Sequence, residues 1–152
     1  MTDYAARNHW PTGSGRYGAF YRRKKGKKFV LHLSPEMRCA CFQVDGYLIT
    51  GTEKDKCDRL VLVDDNGFVA EIYVELKGVD VNHAVDQLEE TLRDKLFQNT
   101  LSSEMWACIV SNSFPSHASR SKIEKAKCRF IKQYKCKLKT IKSMNPERLR
   151  RV

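Results

Sequence analysis

The segment from Asp58 to Lys77 predicts a β-hairpin more strongly than any other part of the chain. Its halves, DRLVLV (58–63) and FVAEIYVELK (68–77), are rich in the β-branched and aromatic residues that favour strands. The residues between them, Asp-Asp-Asn-Gly, have the composition of a tight turn. Any fold of this chain is therefore expected to contain an antiparallel pair of strands over these residues.

The hairpin also brings charged side chains together. Alternation along the second strand puts Glu75 and Lys77 on one face. If the turn is centred on Asn66, the numbers of paired residues sum to about 133, so that Asp58 faces Glu75 with Cβ atoms roughly 4.5–5.5 Å apart. Two facing carboxylates are destabilising unless a cation lies between them, and oxygen ligands suit magnesium or manganese. The bland alternative is a solvated sheet face with Glu75 and Lys77 as an ordinary surface pair.

The balance of charge points to a polyanionic partner. The chain has 152 residues, with 28 Lys and Arg against 18 Asp and Glu, a formal net charge of +10. Such a surplus favours nucleic acid, although many small basic proteins bind nothing specific. The basic residues expected to contact the nucleic-acid backbone are Arg22, Arg23, Lys24, Lys25, Lys27, Lys28, Lys135, Lys137 and Lys139. For the last three, protection of an edge strand is an equally good explanation.

Other features narrow the class of protein. No run of eighteen apolar residues is present and the N-terminal residues lack an apolar signal-peptide core, so we expect no membrane contact and a cytoplasmic location. Six cysteines are present, but only Cys39 and Cys41 are close in sequence. A zinc site would need two close pairs, so the cysteines are expected to be reduced core residues.

The remaining pattern predicts an α/β fold in one domain, residues 29–152, preceded by a basic, loosely structured arm over residues 1–28. Besides the hairpin, the predicted elements are a strand at 29–33, a hairpin of 39–44 and 47–50 around Asp45-Gly46, a helix from the N-cap Asp80 to about 97, a strand at 105–111, a helix at 121–134 and a strand at 135–142. This order of elements suits a central mixed sheet flanked by helices.

An acid that starts one hairpin strand, followed by Glu75-Leu76-Lys77 at the end of the next, resembles the PD-(D/E)XK nuclease superfamily. The segment GVDVNHAVDQLEETL (78–92) adds the helix that follows the motif strand in that superfamily. The resemblance implies a restriction-endonuclease-like fold and a magnesium- or manganese-dependent endonuclease that hydrolyses phosphodiester bonds, most often in DNA. It is compatible with a homodimer, since cutting two strands usually needs two sites.

The resemblance also implies a role for each matching residue. Asp58, Glu75 and the carbonyl of Leu76 would hold the metal, Lys77 would assist the attacking water, and Gln87 would support the site. The same fold kept as an inactive nucleic-acid-binding or protein-binding module is the alternative.

Two departures from the family pattern stand out. Cys57 occupies a position that is often proline, and no helix supplies an acid ahead of the hairpins. Glu36 and Glu53 are the candidates for that acid, with Glu36 preferred.

Overall fold

A computed structural model of the chain describes residues 18–24, 27–51, 55–77, 80–98, 102–114, 117–143 and 145–148. They form a single-domain α/β fold whose centre is a five-stranded mixed sheet. Its strands, in spatial order, are β3 (Arg38–Gln43), β4 (Arg59–Asp65), β5 (Phe68–Leu76), β6 (Glu104–Ser111) and β7 (Lys137–Lys142). The first three run antiparallel, whereas β6 and β7 run parallel to β5.

The predicted hairpin forms with the predicted register. Arg59 lies across from Val74, and the turn is made by Asn66 and Gly67, whose φ angles of 50° and 91° are both positive. Two positive φ angles at the centre of a two-residue loop are typical of a type I′ turn, whose twist matches that of the strands. The prediction for this hairpin is therefore confirmed down to the pairing of individual residues.

Two helices cover one face of the central sheet. Helix α1 (Val81–Arg93) connects β5 to β6, and helix α2 (His117–Tyr134) connects β6 to β7. Their apolar residues share one buried cluster with Leu60, Leu62 and Tyr73 of the hairpin. Within the described residues, no helix is both long and apolar enough to cross a membrane.

A small second sheet covers the opposite face. Strand β2 (Lys27–Leu33) pairs with β1 (Gly18–Lys24) on one side and with β8 (Pro146–Arg148) on the other. Phe29 and Leu31 of β2 pack against Ile72 and Val74 of β5, which buries both faces of the hairpin. The structure therefore differs from the loosely structured arm predicted over residues 1–28, because residues 18–24 and 27–28 belong to paired strands; residues 1–17 lie outside the described part of the chain.

The hairpin predicted over residues 39–50 is wrong in its second half. Gly46, with φ of 75°, does make a turn, but residues 47–50 are not a strand, and β3 pairs with β4 instead. The turn closes on itself through a hydrogen bond from the Ile49 N–H to the Val44 carbonyl at 3.0 Å. Strand β3 therefore pairs with the long apolar strand β4. The sequence prediction had paired it with residues 47–50 because they are its neighbours in the chain.

The first predicted helix ends earlier than expected. Asp80 caps α1 by accepting a hydrogen bond from the His83 N–H, as predicted, but the helix stops at Arg93. Asp94 has an extended backbone and caps a separate 3₁₀ turn, Lys95–Phe97. Leu96, predicted to continue the apolar helix face, is consequently exposed, and Phe97 enters the core in its place.

Candidate functional site

The carboxylates of Asp58 and Glu75 each accept a hydrogen bond from a backbone N–H group on the opposite side of the hairpin, at its open end. Glu75 Oε2 accepts a hydrogen bond from the Asp58 N–H at 3.0 Å, and Asp58 Oδ2 accepts one from the Leu76 N–H at 2.9 Å. Each carboxylate is thus oriented by the backbone of the facing strand. The register of the hairpin brings together the two acids that the sequence predicted to face each other.

The pair lies under the helices rather than on a solvated face. Glu75 is 1% exposed and Asp58 is 8% exposed. Tyr73, two residues before Glu75 and therefore on the same face of β5, belongs to the core beneath α1 and α2. Because burying a carboxylate is expensive unless it is paired and hydrogen-bonded, an ordinary surface pair does not explain this arrangement.

Lys77 extends the pair into a group of four side chains. Its ammonium is 3.7 Å from Glu75 Oε1 and donates a hydrogen bond of 2.7 Å to Gln87 Oε1 on α1. Lys77 keeps 22% of its side chain exposed, so the site meets solvent at this residue. The structure therefore brings together four of the residues predicted for the site: Asp58, Glu75, Lys77 and Gln87.

Helix α1 is fastened to the segment that leads into Asp58. Gln87 Nε2 donates to the Lys56 carbonyl at 3.3 Å, and Thr91 Oγ1 accepts from the Cys57 N–H at 2.8 Å. The Lys56 ammonium in turn donates to the Glu90 carbonyl at 3.2 Å. These contacts hold the approach to Asp58 against α1 and so determine where its carboxylate lies.

The sequence interpretation missed Lys56 and Thr91, although one signal was present. Gln87 and Thr91 are polar residues one helical turn apart, and both are buried on the apolar side of α1. Polar groups in such positions need hydrogen-bond partners, so the pair indicated that a polar segment packs beneath the helix. Which segment that would be depends on tertiary packing.

Cys57, directly before Asp58, is fully buried. Burial raises the pKa of its thiol above the ordinary value, and the charges of Glu75 and Asp58 raise it further. A thiol that stays protonated behaves as a small apolar residue. Cys57 therefore packs in the buried cluster beneath the helices, directly before Asp58.

A further contact lies at the solvent side of the site. His83, one helical turn before Gln87, has its Nε2 3.5 Å from Asp55 Oδ2, and both side chains are largely exposed. This contact joins the first turn of α1 to the residues just before Cys57. No local pattern indicated that Asp55 and His83 would meet, because they are distant in the sequence and come together only when α1 packs against the residues before Cys57.

The donors of this site fit a hard divalent cation. The Asp58 and Glu75 carboxylates and the Leu76 carbonyl are oxygen donors, and magnesium is commonly held by one or two carboxylates together with water and substrate phosphate. Among the residues that the structure describes, no group of three His, Cys, Asp or Glu side chains is arranged to hold a metal. The fit therefore rests on two carboxylates whose orientation is set by backbone N–H groups.

Glu36, predicted as a supporting acid, lies away from the site. It is exposed in the turn before β3, and Arg38 at the start of that strand pairs with Asp64. Asp64 is at the far end of β4 from Asp58, which corresponds to about 20 Å at the rise of a β-strand. The assignment of Glu36 is corrected accordingly, and Glu53 lies outside the described residues.

The first group of predicted basic residues is at the same sheet edge as the site. The Lys28 N–H donates to Ser143 Oγ at 2.9 Å, just beyond the end of β7. The Lys77 N–H, just beyond the end of β5, donates to the Val110 carbonyl at 2.9 Å near the end of β6, which pairs with β7. The residues at the tip of the β1–β2 hairpin are Arg22, Arg23, Lys24, Lys27 and Lys28, whereas Lys25 lies outside the described residues.

The second group of predicted basic residues, Lys135, Lys137 and Lys139, lies at the start of β7 and just before it. Lys137 forms an ion pair with Glu104 at 2.7 Å, and the Lys139 ammonium lies 3.4 Å above the centre of the Trp106 ring. Trp106 belongs to the cluster on the face opposite the helices, so these lysines project away from Glu75. The nearby Lys135 precedes β7 at the far end of the sheet. Because β7 is an edge strand, protection of that edge remains as good an explanation for Lys137 and Lys139 as contact with a nucleic-acid backbone.

Comparisons with known proteins give no match. No protein-family model, no curated protein and no solved structure matches this chain.

Proposed function

We propose that this chain is a metal-dependent nuclease of the PD-(D/E)XK type that hydrolyses phosphodiester bonds, with DNA as the favoured substrate. The observation that carries the proposal is the reciprocal contact of Asp58 and Glu75, completed by Lys77 and its partner Gln87. The order of elements from β3 to β7, with the acids at the open end of a hairpin and a helix directly after it, supports a restriction-endonuclease-like fold.

The mechanism assigns each side chain a part in the hydrolysis. Asp58, Glu75 and the Leu76 carbonyl would hold magnesium or manganese, which supplies an activated water and offsets charge on the phosphate. Lys77, as an ammonium group at the solvent side of the site, orients the water and stabilises the negative charge that develops on a phosphate oxygen. Gln87 fixes the direction of the Lys77 side chain.

Positive charge supports a nucleic-acid substrate. The start of β2, with Lys27 and Lys28, lies at the end of the central sheet where β5, β6 and β7 finish. A phosphate backbone that crosses this end of the sheet would meet these cations and the candidate site together, and its binding would weaken steeply with salt.

One observation favours the inactive module as a second candidate. Both carboxylates already serve the fold by accepting backbone hydrogen bonds, and Glu75 is nearly inaccessible. The same contacts would stabilise a hairpin end in a scaffold without turnover. Activity and metal binding separate the two candidates, because a scaffold needs neither.

The decisive experiment incubates the protein with manganese and with single-stranded, duplex and branched DNA, and with RNA. The Asp58→Asn, Glu75→Gln and Lys77→Met variants keep the approximate size of each side chain while removing its charge. We expect the wild type to cleave at least one substrate and each variant to lose about 100-fold or more of the rate. Equal cleavage by wild type and variants would reject the site.

Two matched controls separate chemistry from folding. Glu71→Gln removes a fully buried carboxylate from the same face of β5, and Asp64→Asn removes one from the far end of β4. Both lie outside the proposed site, so cleavage by folded protein should be retained. A loss of activity equal to that of Glu75→Gln would mean that the assay reports stability instead of catalysis.

A further inference from the structure

Helix α2 carries a row of basic residues that the proposed function leaves without a role. The row is Lys122, Lys125, Arg129 and Lys132, and we refer to it as the basic row of α2. Spacings of three, four and three residues put all four on one side of the helix. The buried side is formed by Ile123, Ala126 and Phe130.

Only one member of the row is neutralised by a contact within the described part of the chain. Arg129 forms a two-bond ion pair with Glu89 of α1, with both distances 2.9 Å. Lys122, Lys125 and Lys132 are exposed, and the structure gives them no ion pair with any described residue. By contrast Lys127, on another side of the same helix, pairs with Glu124 at 2.9 Å.

This arrangement costs the helix stability. Like charges three or four residues apart destabilise a helix by a few tenths of a kcal/mol each. The first turn also lacks any acidic residue that would complement the helix dipole. Helix α1, which is similarly placed on the sheet, carries Asp86, Glu89 and Glu90. Positive charge is therefore concentrated on one helix at the expense of its own stability.

We infer that the basic row of α2 is a binding surface for the phosphate backbone of a nucleic acid. From Lys122 to Lys132 the helix rises about 15 Å, which matches about four base-pair steps. Helix α2 begins beyond the end of β6, at the sheet edge where β5 ends next to Lys77. A backbone bound along the row would therefore continue toward the candidate site. The inference rests on the proposed function only for the identity of the polyanion.

The test measures how the binding of a fluorescent DNA duplex depends on salt, in EDTA so that no cleavage occurs. We compare Lys125→Gln/Lys132→Gln with Lys95→Gln/Lys127→Gln, which removes the same charge from exposed or ion-paired positions outside the row. Loss of two phosphate contacts should reduce the slope of log K against log salt by about 1.8 in the first variant only. Equal slopes in the two variants would overturn the inference.

Cys128 provides a second measurement on the unmodified protein. It is the one exposed cysteine among the six, and it lies beside Lys125 and Lys132 on α2. Saturating duplex should slow its alkylation several-fold, with Cys128→Ser reporting the background from the less exposed Cys39 and Cys41. An unchanged rate in the bound protein would overturn the inference, as would binding to anionic vesicles without binding to duplex.

These outcomes are separate from those of the cleavage test. If the wild type cleaves DNA but the two double variants show the same salt dependence of duplex binding, the proposed function stands and the basic row is rejected as a binding surface. If the two double variants differ in slope as expected but the wild type shows no cleavage with manganese, the basic row stands as a binding surface and the nuclease proposal is rejected.

Discussion

The ammonium of Lys77 and the amide oxygen of Gln87 lie 2.7 Å apart, which links the end of β5 to the second turn of α1. Gln87 in turn donates to the Lys56 carbonyl, two residues before Asp58. One amide side chain therefore contacts the segment that leads into β4 and the residue that follows β5, on either side of the acid pair. The position of Lys77 relative to Glu75 depends on the packing of α1 as well as on the strand that carries it.

Replacement of Gln87 should lower the rate of cleavage more than it lowers substrate affinity. In Gln87→Met the Lys77 ammonium loses its hydrogen-bond acceptor while the side chain keeps its size. We expect a decrease of about 10-fold in the single-turnover rate with manganese, in the range for supporting residues around metal sites. Gln87→Glu retains an acceptor for Lys77 and should recover part of the rate.

A double-mutant cycle tests whether Gln87 acts through Lys77. If it does, Gln87→Met should change the rate little in a Lys77→Met background, since the group that it orients is gone. Fully multiplicative effects of the two substitutions would contradict a positioning role and would leave Gln87 as a structural residue.

Metal binding should depend on the acid pair without any requirement for substrate. We expect calorimetry to detect manganese binding to the wild type, and Glu75→Gln or Asp58→Asn to weaken it by at least about 10-fold. Because a ligand that binds only the native state stabilises it, manganese at 100 times its Kd should add about 2.7 kcal/mol to the free energy of unfolding. Glu71→Gln should retain both effects, and identical metal binding by all three variants would exclude the Asp58–Glu75 site.

The sequence predicted those parts of the fold that depend on local pattern. The alternation of apolar residues predicted β4 and β5, and the turn residues Asn66 and Gly67 predicted their register. That register in turn predicted that Asp58 and Glu75 would lie together. Local pattern was insufficient where partners are distant in sequence. The Asp45-Gly46 turn was recognised, yet β3 pairs with β4, and no local signal indicated that Phe29 of β2 would cover the far side of β5.

The same limit applies to the candidate site. Gln87 could be proposed from its place on the helix after the motif, but Lys56 and Thr91 acquire their contacts only when α1 packs over the residues before Asp58. The basic row of α2 was not predicted to bind nucleic acid, because the apolar spacing of that helix indicates only which side is buried. Which lysines remain unneutralised is decided by where Glu89 and Glu124 lie.

The contact between the two helices predicts how stability depends on pH. Burial would raise the pKa of Glu89, but hydrogen bonds and charge from Arg129, together with Arg93, outweigh burial and lower that pKa. A carboxylate whose pKa is lower in the folded state stabilises the protein above its unfolded pKa of about 4.3, and this contribution is lost as the pH falls through the folded pKa.

Arg129→Gln should therefore destabilise the protein in a pH-dependent way. It leaves the largely buried Glu89 with Arg93 and Tyr134 as remaining partners, and we expect a loss of about 1–3 kcal/mol in the free energy of unfolding at pH 7. In urea titrations the difference from the wild type should shrink as the pH falls through the lowered pKa of Glu89, because the protonated side chain no longer needs Arg129. A difference that is constant between pH 7 and pH 3 would mean that Arg129 stabilises by packing alone.

The turn at the far end of the hairpin should affect stability and leave the site intact. Gly67 has φ of 91°, and its N–H donates to Asp64 Oδ1 at 2.8 Å. Gly67→Ala puts a Cβ into a backbone conformation that costs about 1–2 kcal/mol, although the space around Gly67 is open. Because the turn and the acid pair are at opposite ends of β4, we expect lower stability in urea with unchanged manganese affinity. Weakened metal binding by folded Gly67→Ala would show instead that the register of the whole hairpin had shifted, since a slip of one residue would move Asp58 away from Glu75.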